Sequence, residues 1–296
     1  MEIDRAHYHG WRGELGSPWR GCGALVRVGL LQVFRRKSYW AVFALCLAQF
    51  LFFFAAIYTV TQATVPLQTQ QHILRTFGFS AEGPADEESG YTKFMERQSL
   101  VVMILLAFSG SLLVGTDFRQ KSLPFYLSRT IDRRHYIIGK LLAVSALVSL
   151  LTTVPALLLF VEFGLFTGSI DYWLHDWRSL LAVLVYGLVL CTTLSITLVT
   201  LSAYLQRMAP IAITWCSLFV LLRRLASYLA AETGQQAWML LDPWFDIHEA
   251  GRLCFASQAS DAQRELCWWA LGILAAVCIG CLAALVHRVR AIDIVQ

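Results

Sequence analysis

The sequence predicts an all-α integral membrane protein with six transmembrane helices, and three observations carry that expectation. Apolar residues make up 57% of the 296-residue chain, charged residues only 15%, and mean hydropathy is +0.57, values foreign to soluble globular domains. Six apolar runs follow one another at residues 39–60, 99–114, 141–166, 180–205, 209–229 and 267–286. A helix needs roughly 20 mostly apolar residues to cross a hydrocarbon core about 30 Å thick, and lipid offers no partner to the open backbone groups of an unpaired strand. Sixteen of the 24 Lys and Arg residues fall on one side of the resulting topology, including Arg35, Arg36, Lys37, Arg119, Arg133, Arg134, Lys140, Arg207 and Arg288. Basic residues are retained preferentially in cytosolic loops, so both termini are expected in the cytosol and the protein in a cell (inner or plasma) membrane. The net charge of +4 then reads as a topology signal and not as a nucleic-acid surface.

Residues 1–38 form a charged N-terminal region that precedes a transmembrane domain at 39–296. The first long apolar run starts only near Tyr39, after a mixed and charged leader, so the first span is expected to serve for targeting in place of a cleaved signal peptide. Within residues 21–38, Val26, Leu30, Val33 and Phe34 share one helical face while Gln32, Arg35 and Arg36 lie opposite. Two readings fit: an amphipathic helix lying on the membrane surface, or a basic flank that orients the first span. The outer loop at 61–98 is acidic around 82–88 and carries Gly83-Pro84, with a short helix expected near 67–76.

A basic connector at 115–140 joins the second and third runs. Pro124 disfavours helix for the residue before it, and Asp132 is placed to cap a helix starting at Arg133. Arg133 and Arg134 in that first turn oppose the helix dipole, which calls for lipid phosphates or an acidic partner. Leu123, Phe125, Tyr126 and Leu127 are apolar in a segment that should be wet, and apolar patches rimmed by charge mark protein interfaces.

The third run contains Pro155, a cause of kinking, and Glu162, an acid inside the bilayer region and hence a candidate pathway residue. Pairing with Arg178 across the short following loop would instead neutralise it. Residues 209–222 are too short to span alone and are interrupted by Arg223-Arg224. Either the helix continues with both arginines snorkelling, or residues 223–266 dip back into the outer leaflet as short helices broken at Asp242-Pro243. Trp238, Trp244, Trp268 and Trp269 fit interfacial anchors. Of the 8 cysteines only Cys254 and Cys267 could meet an oxidising compartment, and their spacing does not demand a disulfide.

No phosphate-binding GxxxxGK[ST] loop is present. Ser109 and Ser111 have no histidine within a span to activate them, which argues against an intramembrane serine protease. The short His7-Tyr8-His9 and Asp246-Ile247-His248-Glu249 groups lack further ligands and read as ordinary loop residues. No metal or cofactor is expected on this chain.

The connector resembles the first cytosolic loop of type 2 ABC exporter permeases. Ser122-Leu123, Leu127-Ser128-Arg129, Ile131, Arg133, Tyr136 and Gly139-Lys140 fit that family's pattern, while Lys121, Thr130 and Asp132 depart from it. Leu241-Asp242-Pro243 followed by Asp246 and Arg252 also looks like the family's segment before its last span. The resemblance implies an N-terminal interfacial helix (Val26, Leu30, Val33, Phe34, Arg35, Arg36) and re-entrant outer helices between spans five and six. It further implies a coupling helix in which Leu123, Pro124, Phe125, Tyr126, Leu127, Ser128, Arg129 and Arg133 meet a separate ABC ATPase. The implied assembly has two ATPase copies carrying ATP and Mg, and a second permease, either identical or paralogous, with membrane lipid around it and an outer or periplasmic partner in some members. On this reading the chain is a permease subunit and not itself an enzyme. A secondary transporter or a non-transporting scaffold are the alternatives. The first predicts several buried charges or an internal repeat, and the second predicts clustered catalytic residues.

Overall fold

The computed structural model describes residues 17–63, 66–79, 89–119, 132–168, 173, 176–255 and 261–291, and among these no strand occurs. Helix α1 covers Pro18–Phe34 and α2 Lys37–Gln62, followed by the short α3 at Leu67–Phe77. Then come α4 (Gly90–Arg119), α5 (Arg133–Thr167), α6 (Trp177–Leu205) and α7 (Met208–Thr233). A 3-10 turn at Gln236–Leu241 leads into α8 (Pro243–Cys254), and α9 runs over Asp261–Ala291. Six helices, namely α2, α4, α5, α6, α7 and α9, are long and apolar enough to cross a membrane, so the chain has the make-up of a multi-pass membrane protein.

The bundle is built around α4 and α6. Of their most apolar windows 59% and 61% is buried, against 17% for α2, α7 and α9, which makes the last three peripheral. Side chains that would be polar orphans in lipid find backbone carbonyls on neighbouring helices, as expected where water is absent. Tyr39 donates to the Phe108 carbonyl at 3.2 Å, and Trp215 Nε1 donates to Met103 at 3.1 Å. Thr200 and Tyr204 donate to Cys281 and Ala284, both at 3.1 Å.

Helix α5 breaks at Thr152, where φ is -116° and ψ -63°, three residues before Pro155. Proline has no N–H for the carbonyl four residues back, which is that of Leu151. Gln98 of α4 supplies the missing donor: its Nε2 lies 2.8 Å from the Leu151 oxygen and 3.2 Å from that of Cys46 in α2. The fully buried Gln98 therefore joins three spans at the kink.

At the end of the bundle opposite the N-terminus of α2, α3 is docked and not merely solvated. Phe53 of α2 is fully buried and meets Phe77 at 5.0 Å and Phe94 at 5.2 Å, with the Arg97 guanidinium 5.8 Å above its ring. Gly78 ends α3 with φ 78°, a left-handed conformation that glycine adopts without strain. The chain then turns so that Phe79 stacks on Phe163 of α5 at 5.9 Å.

Several expectations change. Helix α1 stops at Phe34 and α2 starts at Lys37, so Arg35 and Arg36 form the corner between two helices. The second span starts at Gly90, well before the apolar run at 99–114. Arg223 and Arg224 do not interrupt α7, which passes through a π turn at Ser217–Leu221 and continues to Thr233. Asp132 is the N-cap residue of α5, yet its side chain makes no cap hydrogen bond and lies 3.7 Å from His135 Nδ1. Cys254 and Cys267 are both free thiols, in keeping with a spacing that does not demand a disulfide. Trp244 is buried and not an interfacial anchor, whereas Trp268 and Trp269 are exposed.

Candidate functional site

Residues 120–131 lie outside the described residues, and with them Leu123, Pro124, Phe125, Tyr126, Leu127, Ser128 and Arg129. What the structure describes is how the two ends of this connector are held. Asp117 closes α4, and Tyr136 and Lys140 stand four residues apart on one face of the opening turns of α5. Lys140 Nζ is 2.6 Å from Asp117 Oδ2 and donates to the Leu113 carbonyl at 2.6 Å. The Tyr136 hydroxyl donates to the same carboxylate oxygen at 2.9 Å, and its ring faces the Lys140 ammonium at 5.8 Å. Lys140 is only 7% exposed. A cation that dry is tolerated because it is paired and hydrogen-bonded together.

The backbone beneath the clasp is irregular. Ser111–Gly115 form a π turn, a feature frequent at functional positions. Gly115 lies so close to the end of α6 that an added Cβ would come within 2.8 Å of the Gln206 carbonyl. Gln206 itself has φ 57°, the left-handed region that is costly for a side-chain-bearing residue.

Helix α1 packs along the first half of α5. Glycines make the approach close: a Cβ on Gly139 would stand 2.9 Å from Leu25, and one on Gly29 would stand 3.2 Å from Ala143 and 3.3 Å from Leu113. Cys22 Sγ donates to the His135 carbonyl at 3.1 Å, and Trp19 meets the His135 ring edge-on at 5.2 Å. The apolar stripe of α1 is centred on Cys22, Leu25, Gly29 and Val33, all buried. Of the residues expected on that face, Val33 is fully buried, while Val26, Leu30 and Phe34 are half-buried at its edge and Arg35 and Arg36 are exposed. Arg133 is exposed on the first turn of α5. Thus α1, the end of α4, the start of α5 and the end of α6 form one braced unit around the connector's roots, here called the basic end.

Glu162 is 6% exposed and neither of its carboxylate oxygens has a hydrogen-bond partner. The pairing with Arg178 is not made, because that guanidinium is exposed at the start of α6. One turn after Glu162, Phe166 packs on Phe54 and Tyr58 of α2, which sets this face of α5 toward α2.

A set of buried carboxylates lies between the fifth and sixth spans, in a segment where Asp246 to Glu249 read from sequence as ordinary loop residues. Asp242 caps α8 by accepting from Trp244 N–H at 3.0 Å, and Pro243 occupies the first turn, where proline fits. Asp242, Asp246 and Glu249 fall on one face and are 1%, 1% and 2% exposed. Glu249 pairs with Arg252 at 3.0 Å and accepts from Cys267 Sγ at 3.2 Å. His248 Nδ1 lies 3.7 Å from Glu96 Oε2. Asp246 Oδ1 has no partner, and burial, reinforced by the Asp242 and Glu249 carboxylates, pushes the Asp246 carboxyl up to about 8.

The folded chain therefore holds a proton at Asp246 over a range where an unfolded chain has released it. That stability is complete below the ordinary value of 3.8 and is lost as pH rises to about 8. The thermal midpoint of the purified protein should fall from pH 5.5 to 8.5, and Asp246→Asn should flatten the profile and raise the midpoint at pH 8.5. A lower midpoint for the variant at that pH, with the slope kept, would contradict a neutral Asp246.

Among the described residues no group of three or more His, Cys, Asp or Glu is arranged to hold a metal. The helices and the braced basic end define a polytopic α-helical membrane protein. No family model matches the chain, and no curated protein matches it.

Proposed function

We propose that this chain is the permease subunit of an ATP-driven transporter of the type 2 ABC exporter class. The observation that carries the reading is the connector from Asp117 to Lys140, whose sequence resembles that family's coupling loop and whose two ends are locked together by the Asp117, Tyr136 and Lys140 contacts. A push delivered to a segment rooted in this way enters α4 and α5 together and reaches α1 through its close packing on α5. In this proposal Leu123, Phe125, Tyr126 and Leu127 seat in a groove of a separate ATPase that carries ATP and Mg, and α1 lies at the membrane surface beside it. Two permease copies pair with two ATPases, and the peripheral α2, α7 and α9 supply apolar faces for the second copy and for lipid. ATP-driven closure of the ATPases then moves the two bundles as rigid bodies. The route outward, or the force on an outer partner, passes the short helices between α7 and α9, with Glu162 as the candidate residue along it.

Tyr126→Asp or Leu127→Asp places a charge in the docking patch without touching a span. The variants should insert normally yet lose co-purification of the ATPase and the vanadate-sensitive ATP hydrolysis that comes with it. Wild-type levels of bound ATPase in both variants would remove the coupling assignment. A second reading, secondary transport driven by protons, is favoured by the buried and unpartnered Glu162 alone. It predicts a preparation without any ATPase and a transport activity abolished by Glu162→Gln.

A further inference from the structure

Between the first turn of α5 and the last turns of α9 lies a half-open cleft of about 480 Å3 lined by Asp132, Arg133, Arg134, Ile137, Val286 and Val289. Its two walls differ in chemistry. One carries two exposed arginines at the positive end of a helix dipole, with the exposed Asp132 carboxylate beside them, 3.7 Å from His135 Nδ1. The other, on α9, is aliphatic, with Val286 partly exposed and Val289 buried, and the buried Ile137 of α5 adjoins it. The apolar run of α5 starts at residue 141 and that of α9 ends at residue 286, so the cleft lies just beyond both runs, where hydrocarbon gives way to headgroups.

Arginine forks match phosphate oxygens bidentately, but a free phosphate would leave the aliphatic wall in water. An acidic peptide would likewise gain nothing from a wall that opens toward lipid. An amphiphile with a phosphate at one end and methylenes at the other satisfies both walls, and basic recesses between transmembrane helices are known to take such headgroups. The volume suits a headgroup with the first part of its chains.

We propose that this cleft binds an anionic phospholipid of the leaflet at the basic end, its phosphate held by Arg133 and Arg134 and its acyl chains starting along Ile137, Val286 and Val289. The cleft is lined by residues of α5, its N-cap Asp132 and α9 alone, so the inference does not rest on the exporter reading, although Arg133 is also in the expected coupling set.

The full-length protein, purified and delipidated in mild detergent, would be titrated with dioleoyl-phosphatidylglycerol or dioleoyl-phosphatidylcholine and read by native mass spectrometry. Inorganic phosphate would form a parallel arm read by thermal unfolding. The wild type should retain phosphatidylglycerol in preference to phosphatidylcholine. Arg133→Gln with Arg134→Gln should weaken that binding roughly thirtyfold, the expected effect of two basic residues at a membrane surface. Arg27→Gln with Lys37→Gln removes the same charge at exposed positions outside the cleft and should change binding less than about twofold. Val289→Trp, which fills the aliphatic wall and keeps both arginines, should also weaken lipid binding. Equal retention of phosphatidylglycerol by the wild type and the double arginine variant would overturn the proposal. So would an inorganic phosphate shift as large as the lipid's, or an equal loss in the Arg27 and Lys37 control.

Discussion

Lys140→Met is expected to destabilise the folded bundle by about 3–5 kcal/mol, the usual consequence of removing the cation of a buried ion pair. The Asp117 carboxylate is only 13% exposed at its side chain, so in the variant it loses its cation without regaining water. The double variant Asp117→Asn with Lys140→Met removes both charges while leaving an oxygen to accept from Tyr136. It should recover a large part of the loss, because a matched neutral pair escapes the desolvation cost that an unmatched charge meets. Thermal unfolding of the four proteins in one detergent gives the cycle. Equal destabilisation of single and double variants would show that the methylene packing of Lys140, and not its charge, is what matters. Under the exporter reading the same substitution loosens the connector's roots, so ATPase binding should persist while its stimulation falls.

The second large effect is at the α5 kink. Gln98→Leu removes the donor to Leu151 and to Cys46, and a buried carbonyl left open costs about 1–3 kcal/mol, with little water nearby to compensate. Pro155→Ala restores a backbone N–H in reach of the Leu151 carbonyl. In the Pro155→Ala background, Gln98→Leu should therefore cost distinctly less than in the wild type. If Gln98→Leu costs the same in both backgrounds, Gln98 is not replacing the proline's missing donor, and its value would rest on the Cys46 contact and on packing.

How far the sequence carries can be seen in particular elements. The six spans and the kink were legible because length, hydropathy and proline act locally. The start of α4 was not: Thr92 and Gln98 are polar yet almost fully buried, and hydropathy measures affinity for lipid, not burial against other helices. At Arg223 and Arg224 the sequence leaves a continuing helix and a break both open, because charge lowers hydropathy while arginine is a good helix former; the two lie on an exposed face of a continuous α7. In the clasp, the four-residue spacing of Tyr136 and Lys140 was readable. Their meeting with Asp117 depends on two chain segments returning to the same place, which no local pattern records. The same holds for Glu249 and Cys267. The spacing of Asp242, Asp246 and Glu249 along one face signals the buried carboxylate set of α8, although the Asp-Pro pair reads more readily as a turn.

The π turn at Ser111–Gly115 has a consequence for how this protein tolerates change in length. Such a turn is an α-helix that has absorbed one surplus residue. Each residue of an α-helix advances by about 100°, so deleting a single residue in the regular part of α4 would rotate Asp117 by roughly that angle, away from Lys140, whereas deleting one within 111–115 would return the turn to ordinary helix and keep the phase. The phase between the membrane core of α4 and its charged tip is thus stored in a residue count. A one-residue deletion within 111–115 can be absorbed, but one in the regular helix on either side would leave the chain able to insert and unable to close its clasp.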